Sequence, residues 1–119
     1  MKLEISSVAD AGSDQKERVV MKVLAKTDIG HFAMLRVRER SGTITTGVLD
    51  AFWFPDKEVE SGDLVVLYSK AGEKSEKALS GDRTAHFFYW GKGGSLWASK
   101  GVAAVLLQVD EWTTLIPPE

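Results

Sequence analysis

Residues 51–69 read AFWFPDKEVESGDLVVLYS, residues 86–97 read HFFYWGKGGSLW, and residues 102–112 read VAAVLLQVDEW. A short aromatic run, Ala51–Phe54, stops at Pro55, which has no N–H to give to a strand ladder. An acidic link closes on the turn residues Ser61-Gly62-Asp63, and the next run, to Ser69, is almost wholly apolar. Such a strand is central in its sheet or covered on both faces. His86–Trp90 alternates, sending His86, Phe88 and Trp90 to one side and Phe87 and Tyr89 to the other. It breaks at Gly91, and the apolar run Val102–Val109 closes the series. Short strands at this spacing, with no amphipathic helix between them, predict an all-β antiparallel sandwich of about seven to nine strands.

Working outward, Lys2–Val8 places Leu3 and Ile5 on one face, and Ala9–Glu17 is a polar loop. Val19–Lys26 alternates, with Val19, Met21, Val23 and Ala25 opposite Lys22 and Lys26. Thr27-Asp28-Ile29-Gly30 is a tight turn, because Asp bonds its own backbone and Gly tolerates positive φ. If Val19–Lys26 pairs with His31–Arg40 through this turn, Lys22 and Lys26 lie on the same face as the arginines of that strand. Along His31–Arg40, Ala33, Leu35 and Val37 form the apolar face and Arg36, Arg38 and Arg40 the other. Thr43–Val48 and Ala51–Phe54 read as two separate strands. Lys70–Thr84 is the one long polar loop, with room for a short helical turn at Ser75–Leu79.

The order Phe54-Pro55, then Val59-Glu60-Ser61-Gly62-Asp63, then Leu64–Ser69 resembles the lamin tail domain, an immunoglobulin-like β-sandwich. Trp90-Gly91 with Gly94-Ser95-Leu96 is similar to the family's late Trp and its small-residue turn. Val105-Leu106-Leu107 resembles its closing strand, so the resemblance covers residues 51–112. The family's Gly-Trp pair in the preceding strand has no match, and Gly47-Val48-Leu49 stands in its place. The resemblance implies a non-enzymatic binding module.

The chain has 119 residues, 44% hydrophobic and 27% charged. That length holds a single domain over residues 1–119 and a core able to fold without staples. With no cysteine, disulfides, thiolate metal sites and cysteine nucleophiles are excluded. The start, MKLEISSV, lacks a signal-peptide core, and the longest apolar run falls far below the ~20 residues of a membrane helix. These features predict a soluble, cytoplasmic protein that engages no membrane. The net charge of −2 points to no class of partner, so only a local patch can.

Two patches stand out. Arg36, Arg38 and Arg40 recur at ~7 Å along one strand face, and the expected pairing adds Lys22 and Lys26. Five cations on one face suit phosphates, and the alternative is a solvated outer face. The other patch is aromatic: Trp53, Trp90 and Trp97, flanked by the Lys70–Thr84 loop, form a candidate protein-binding or self-association surface. Core burial is the competing reading of the same side chains. Trp112, near the end of the last strand, is expected to close one edge of the sandwich. His31 and His86 lie near Asp28 and Asp82 in sequence, but no HxH, HExxH or paired-carboxylate spacing accompanies them. The glycines at 91, 93 and 94 precede neither GK[ST] nor a helix, and read as a hairpin. The sequence therefore predicts no catalytic residue, metal, cofactor or small-molecule substrate. It predicts a protein partner or self-association, with nucleic acid as the alternative.

Overall fold

A computed structural model describes residues 1–119. Ten strands form in chain order: β1 (Leu3–Ala9), β2 (Arg18–Val23), β3 (Thr27–Asp28), β4 (Phe32–Arg40), β5 (Thr43–Trp53), β6 (Glu58–Val59), β7 (Leu64–Tyr68), β8 (Ser75–Ala78), β9 (Thr84–Tyr89) and β10 (Val102–Gln108). The sole helical element is a 3₁₀ turn at Ile29–His31. The strands make a five-stranded sheet in the order β1-β2-β7-β9-β8, a three-stranded sheet β10-β4-β5, and the small pair β3-β6. All pairs are antiparallel except β7 with β9, which run parallel. An all-antiparallel fold was expected. The long Ser69–Arg83 connection, which carries β8, brings the chain back to start β9 in the same direction as β7.

β7 lies between β2 and β9, and that central place explains its apolar residues on both faces. Asp63 sets the pairing at its start. One carboxylate oxygen accepts the Thr84 N–H at 2.9 Å, so the first residue of β9 is held beside β7. The other accepts the Glu60 N–H at 3.0 Å, closing the turn in which Gly62 takes φ +93°. A side chain at Gly62 would be strained there.

Twelve buried residues form one core, drawn from both larger sheets and the links between them. Leu3, Val19, Met21, Val23, Val65, Leu67 and Phe88 come from the five-stranded sheet, and Phe32 and Met34 from β4. Ile29, Phe54 and Val59 fill one end. The alternation expected for Val19, Met21 and Val23 appears as buried residues along β2.

Several local expectations are corrected. Thr43–Val48 and Ala51–Phe54 join into the single strand β5, which skips register twice against β4. These bulges let one strand bend where the sequence suggests a break. Ser75–Ala78 is a strand, because β9 supplies a ladder that an isolated helical turn lacks. Thr27–Gly30 does not join β2 to β4. Its Asp28 carboxylate accepts from the Gly30 and Lys57 N–H groups, so the turn carries the chain out of one sheet and into the other. The 91–94 glycines do not close a hairpin, since β9 and β10 belong to different sheets.

Candidate association surface

β4 decides what the three-stranded sheet shows to solvent. Phe32 and Met34 are fully buried, and by alternation Arg36 lies on their side. Across from them, Leu106 and Phe52 flank Met34, while Ala104 and Asp50 flank Arg36. Leu106, Phe52 and Ala104 all pack against the core. The arginine face is thus the continuation of the inner face, the reverse of the sequence expectation. Arg36 sits at the core's rim. Its Nε donates to the Leu96 carbonyl at 2.7 Å, and its guanidinium meets Asp50 at 3.2 Å.

The outer face is then the one carrying Ala33, Leu35 and Val37. Their cross-strand neighbours complete three rows: Leu107–Ala33–Trp53, Val105–Leu35–Ala51, and Ala103–Val37–Val48. No row contains a charged or polar side chain. Antiparallel sheets with one solvated face ordinarily alternate apolar with polar residues. Trp53 is 54% exposed, Val48 52% and Leu107 39%, while Val37 is only 3% exposed at the flanked end of β4. The result is an apolar grid, covered at Val37 and edged by large exposed side chains.

At one end of the grid the Trp53 indole is fixed in place. Its Nε1–H donates to the Gly30 carbonyl at 2.7 Å, and Trp112 meets it edge-on with ring centres 4.9 Å apart. Trp112 also packs on His31 at 5.8 Å. Trp112 therefore lies beyond β10 and extends the grid, packed on His31 just before β4 and on Trp53 at the end of β5. Past it, Leu115 and Ile116 are almost fully exposed.

The expected tryptophan surface is divided. Trp53 faces outward, whereas Trp90 and Trp97 pack on the core, Trp90 against Phe52 and the two indoles against each other. Adjacent residues of β5, Phe52 and Trp53, point to opposite faces, which separates the two groups. The Lys70–Thr84 segment lies at the far edge of the five-stranded sheet, as β8. The outward side of β9 is also aromatic: Tyr89 stacks on Tyr68 at 5.3 Å, and Gly72 lies so close to the Tyr89 ring that a Cβ would stand 2.5 Å from it.

The five cations do not share a face. Lys22 is on β2 of the other sheet. Lys26 is exposed and pairs with Glu58 at 3.3 Å; its pKa is raised by the Glu58 hydrogen bond and by the charges of Glu58 and Glu60. Arg36 is engaged as above, which leaves Arg38 and Arg40 exposed without ion pairs.

The sequence marks neither Glu17 nor the partner of His86. Glu17, with no exposed surface, accepts from the N–H groups of Gly12, Leu96 and Trp97 and from the hydroxyls of Ser69 and Ser95. Burial pushes its carboxyl up, but these bonds outweigh that and hold it at about 2. Nothing local marks Glu17, since its partners lie up to 80 residues away. His86, also buried, places Nε2 2.9 Å from Asp63 and Nδ1 3.4 Å from Glu76. Its partner is thus Asp63, not Asp82, because the parallel pairing of β7 and β9 brings them together. Burial raises the Asp63 carboxyl, and the bonds from His86, Glu60 and Thr84 more than reverse it, so its pKa is lowered. A cavity of about 290 Å³ opens here, lined in part by Pro55, Asp56, Lys57 and Glu76. Both imidazole nitrogens are turned to carboxylates, and Lys74 and Ser75 also line the cavity. The two histidines do not meet: His31 Nδ1 lies 3.3 Å from the Val109 carbonyl.

In comparison with known proteins, no family model and no curated protein matches this chain. No helix is long and apolar enough to cross a membrane.

Proposed function

We propose that the chain is a non-enzymatic association module that binds protein through the outer face of the β10-β4-β5 sheet. The observation that carries this reading is the grid of nine apolar residues with no polar side chain among them. Removing such a face from water contributes roughly 25 cal/mol per Å², and an uncovered one is a liability. A fixed indole at its rim is the kind of rigid anchor on which binding energy concentrates.

As to fold, we read the two sheets as an immunoglobulin-like sandwich of the lamin-tail type. Phe54 enters the core just before Pro55, Gly62 turns the chain into β7, and Trp90 packs on the core. These are the residues that carry the resemblance, and each has a structural role that supports it.

A photo-crosslinking residue placed at Ala51, in the middle row, tests the function. In native extract it is expected to label a protein, including a second copy of the chain, while the same residue at Lys77 on β8 does not. Equal labelling at both positions, or none at Ala51, overturns the reading.

A further inference from the structure

The two larger sheets have four edges, and three are protected. β1 carries an extra residue, Ser6, between the pairs Ile5–Met21 and Ser7–Val20. β5 is bulged twice. β8 is four residues long, with Glu76 and Lys77 at its centre. Bulges, charges and shortness are the devices that stop an edge from recruiting another strand. β10 has none of them: VAAVLLQ is seven residues long, pairs in unbroken register with β4, and contains no charge and no proline.

The ladder shows which of its backbone groups are free. The Val109 N–H donates to His31 O, and Gly101 O accepts from the Glu39 N–H. Odd-numbered residues of β10 therefore point their backbone groups at β4. Val102, Ala104, Leu106 and Gln108 point theirs outward, where no strand pairs with them. At the Gln108 end, the Lys2 N–H just before β1 of the neighbouring sheet donates only to the Gln108 side chain, at 3.1 Å. Beside this edge an apolar slot of about 390 Å³ opens between β10 and β1, lined chiefly by Met1, Leu3, Ile5, Leu24 and Leu106.

We infer that β10 pairs antiparallel with β10 of a second copy about a twofold axis at Val105, an inference that rests on the association reading above. In that register Ala104 exchanges bonds with Leu106 of the copy, and Val102 with Gln108, giving about eight N–H···O=C bonds. Self-pairing sets like residues against like, which a charged strand would resist and this one does not. The two outer grids then merge into one apolar face, because Leu107 adjoins Ala103 of the copy and Val105 adjoins Val105. An edge contact of this size belongs with weak, reversible interfaces.

Amide exchange followed by NMR on the purified protein, from ~20 μM to ~1 mM, tests this without altering the chain. The Ala103, Val105 and Leu107 amides are protected by β4 at every concentration. Those of Ala104 and Leu106 are expected to exchange quickly when dilute and at least tenfold more slowly when concentrated, alongside a monomer–dimer shift in sedimentation. Ala104→Pro, which removes one outward N–H and no bond to β4, is expected to weaken dimerisation tenfold or more. A dimer in which Ala104 and Leu106 stay unprotected overturns edge pairing but leaves association through the grid. A monomer throughout also overturns it; Ala51 crosslinking to a different protein would then preserve the functional reading, and no crosslink would end both.

Discussion

Glu17 ties three stretches of chain with one carboxylate: the 10–17 loop, the end of β7 at Ser69, and the Ser95–Trp97 segment that crosses between the sheets. Its folded value of about 2 lies below its ordinary 4.5. The stability it contributes is therefore complete above about pH 4.5 and is lost as pH falls toward 2. Asp63, also lowered, acts in the same direction. Thermal melts across that window should show the wild type losing stability with acid. Glu17→Gln should be weaker by on the order of 2 kcal/mol at neutral pH, since it disturbs several buried bonds, and flatter in the acid window, with the Asp63 share remaining. Equal acid slopes for the two proteins would refute the role given to Glu17. At Gly72 the Tyr89 ring leaves no room for a Cβ. Gly72→Ala should shift the loop and lower the melting temperature by several degrees, corresponding to ~1–2 kcal/mol, and an unchanged temperature would contradict that packing.

At the scale of elements, β4 shows what the sequence could and could not reveal. Its alternation is plain, but both of its faces are apolar over part of their length: Phe32 and Met34 on one, Ala33, Leu35 and Val37 on the other. Which face is inner depends on the partner strands. β10 is apolar on both faces too, so it offers no polar side to break the tie. The arginines mark solvent only when read alone; in the fold Arg36 closes the core's rim, with Asp50 bridging to Lys92 at 2.9 Å. The Ser61-Gly62-Asp63 turn, the central place of β7 and the β2 alternation were legible because they are local. The parallel β7–β9 pair and the Glu17 hub were not, because each depends on residues far apart in the chain. Arg36→Ala should cost roughly 1–3 kcal/mol by leaving the half-buried Asp50 and the Leu96 carbonyl short of a donor. Arg38→Ala and Arg40→Ala, both exposed, should fall within about 0.5 kcal/mol of wild type. Denaturant melts that rank the three equally would contradict the assigned faces.

For the whole molecule, ionic strength separates the two classes of partner first suggested by the sequence. The proposed association surface consists of a grid without charge and an edge of backbone groups, on a chain of net charge −2 that hardly repels itself. Salt then has little to screen, and salts excluded from apolar surface strengthen its burial. A nucleic-acid complex through Lys22, Arg38 and Arg40 behaves in the opposite way. Neutralising about three phosphates makes the affinity fall by roughly the third power of salt concentration. Association measured from ~50 to ~500 mM sodium chloride should stay level, and sodium sulfate should raise it. Leu107→Lys, which sets a charge at the grid's edge, should abolish association while leaving the fold intact, because Leu107 is on the outer face and takes no part in the core. A steep loss of association with sodium chloride, relieved by Arg38→Ser with Arg40→Ser, would move the binding surface to the cations and away from the β10-β4-β5 face.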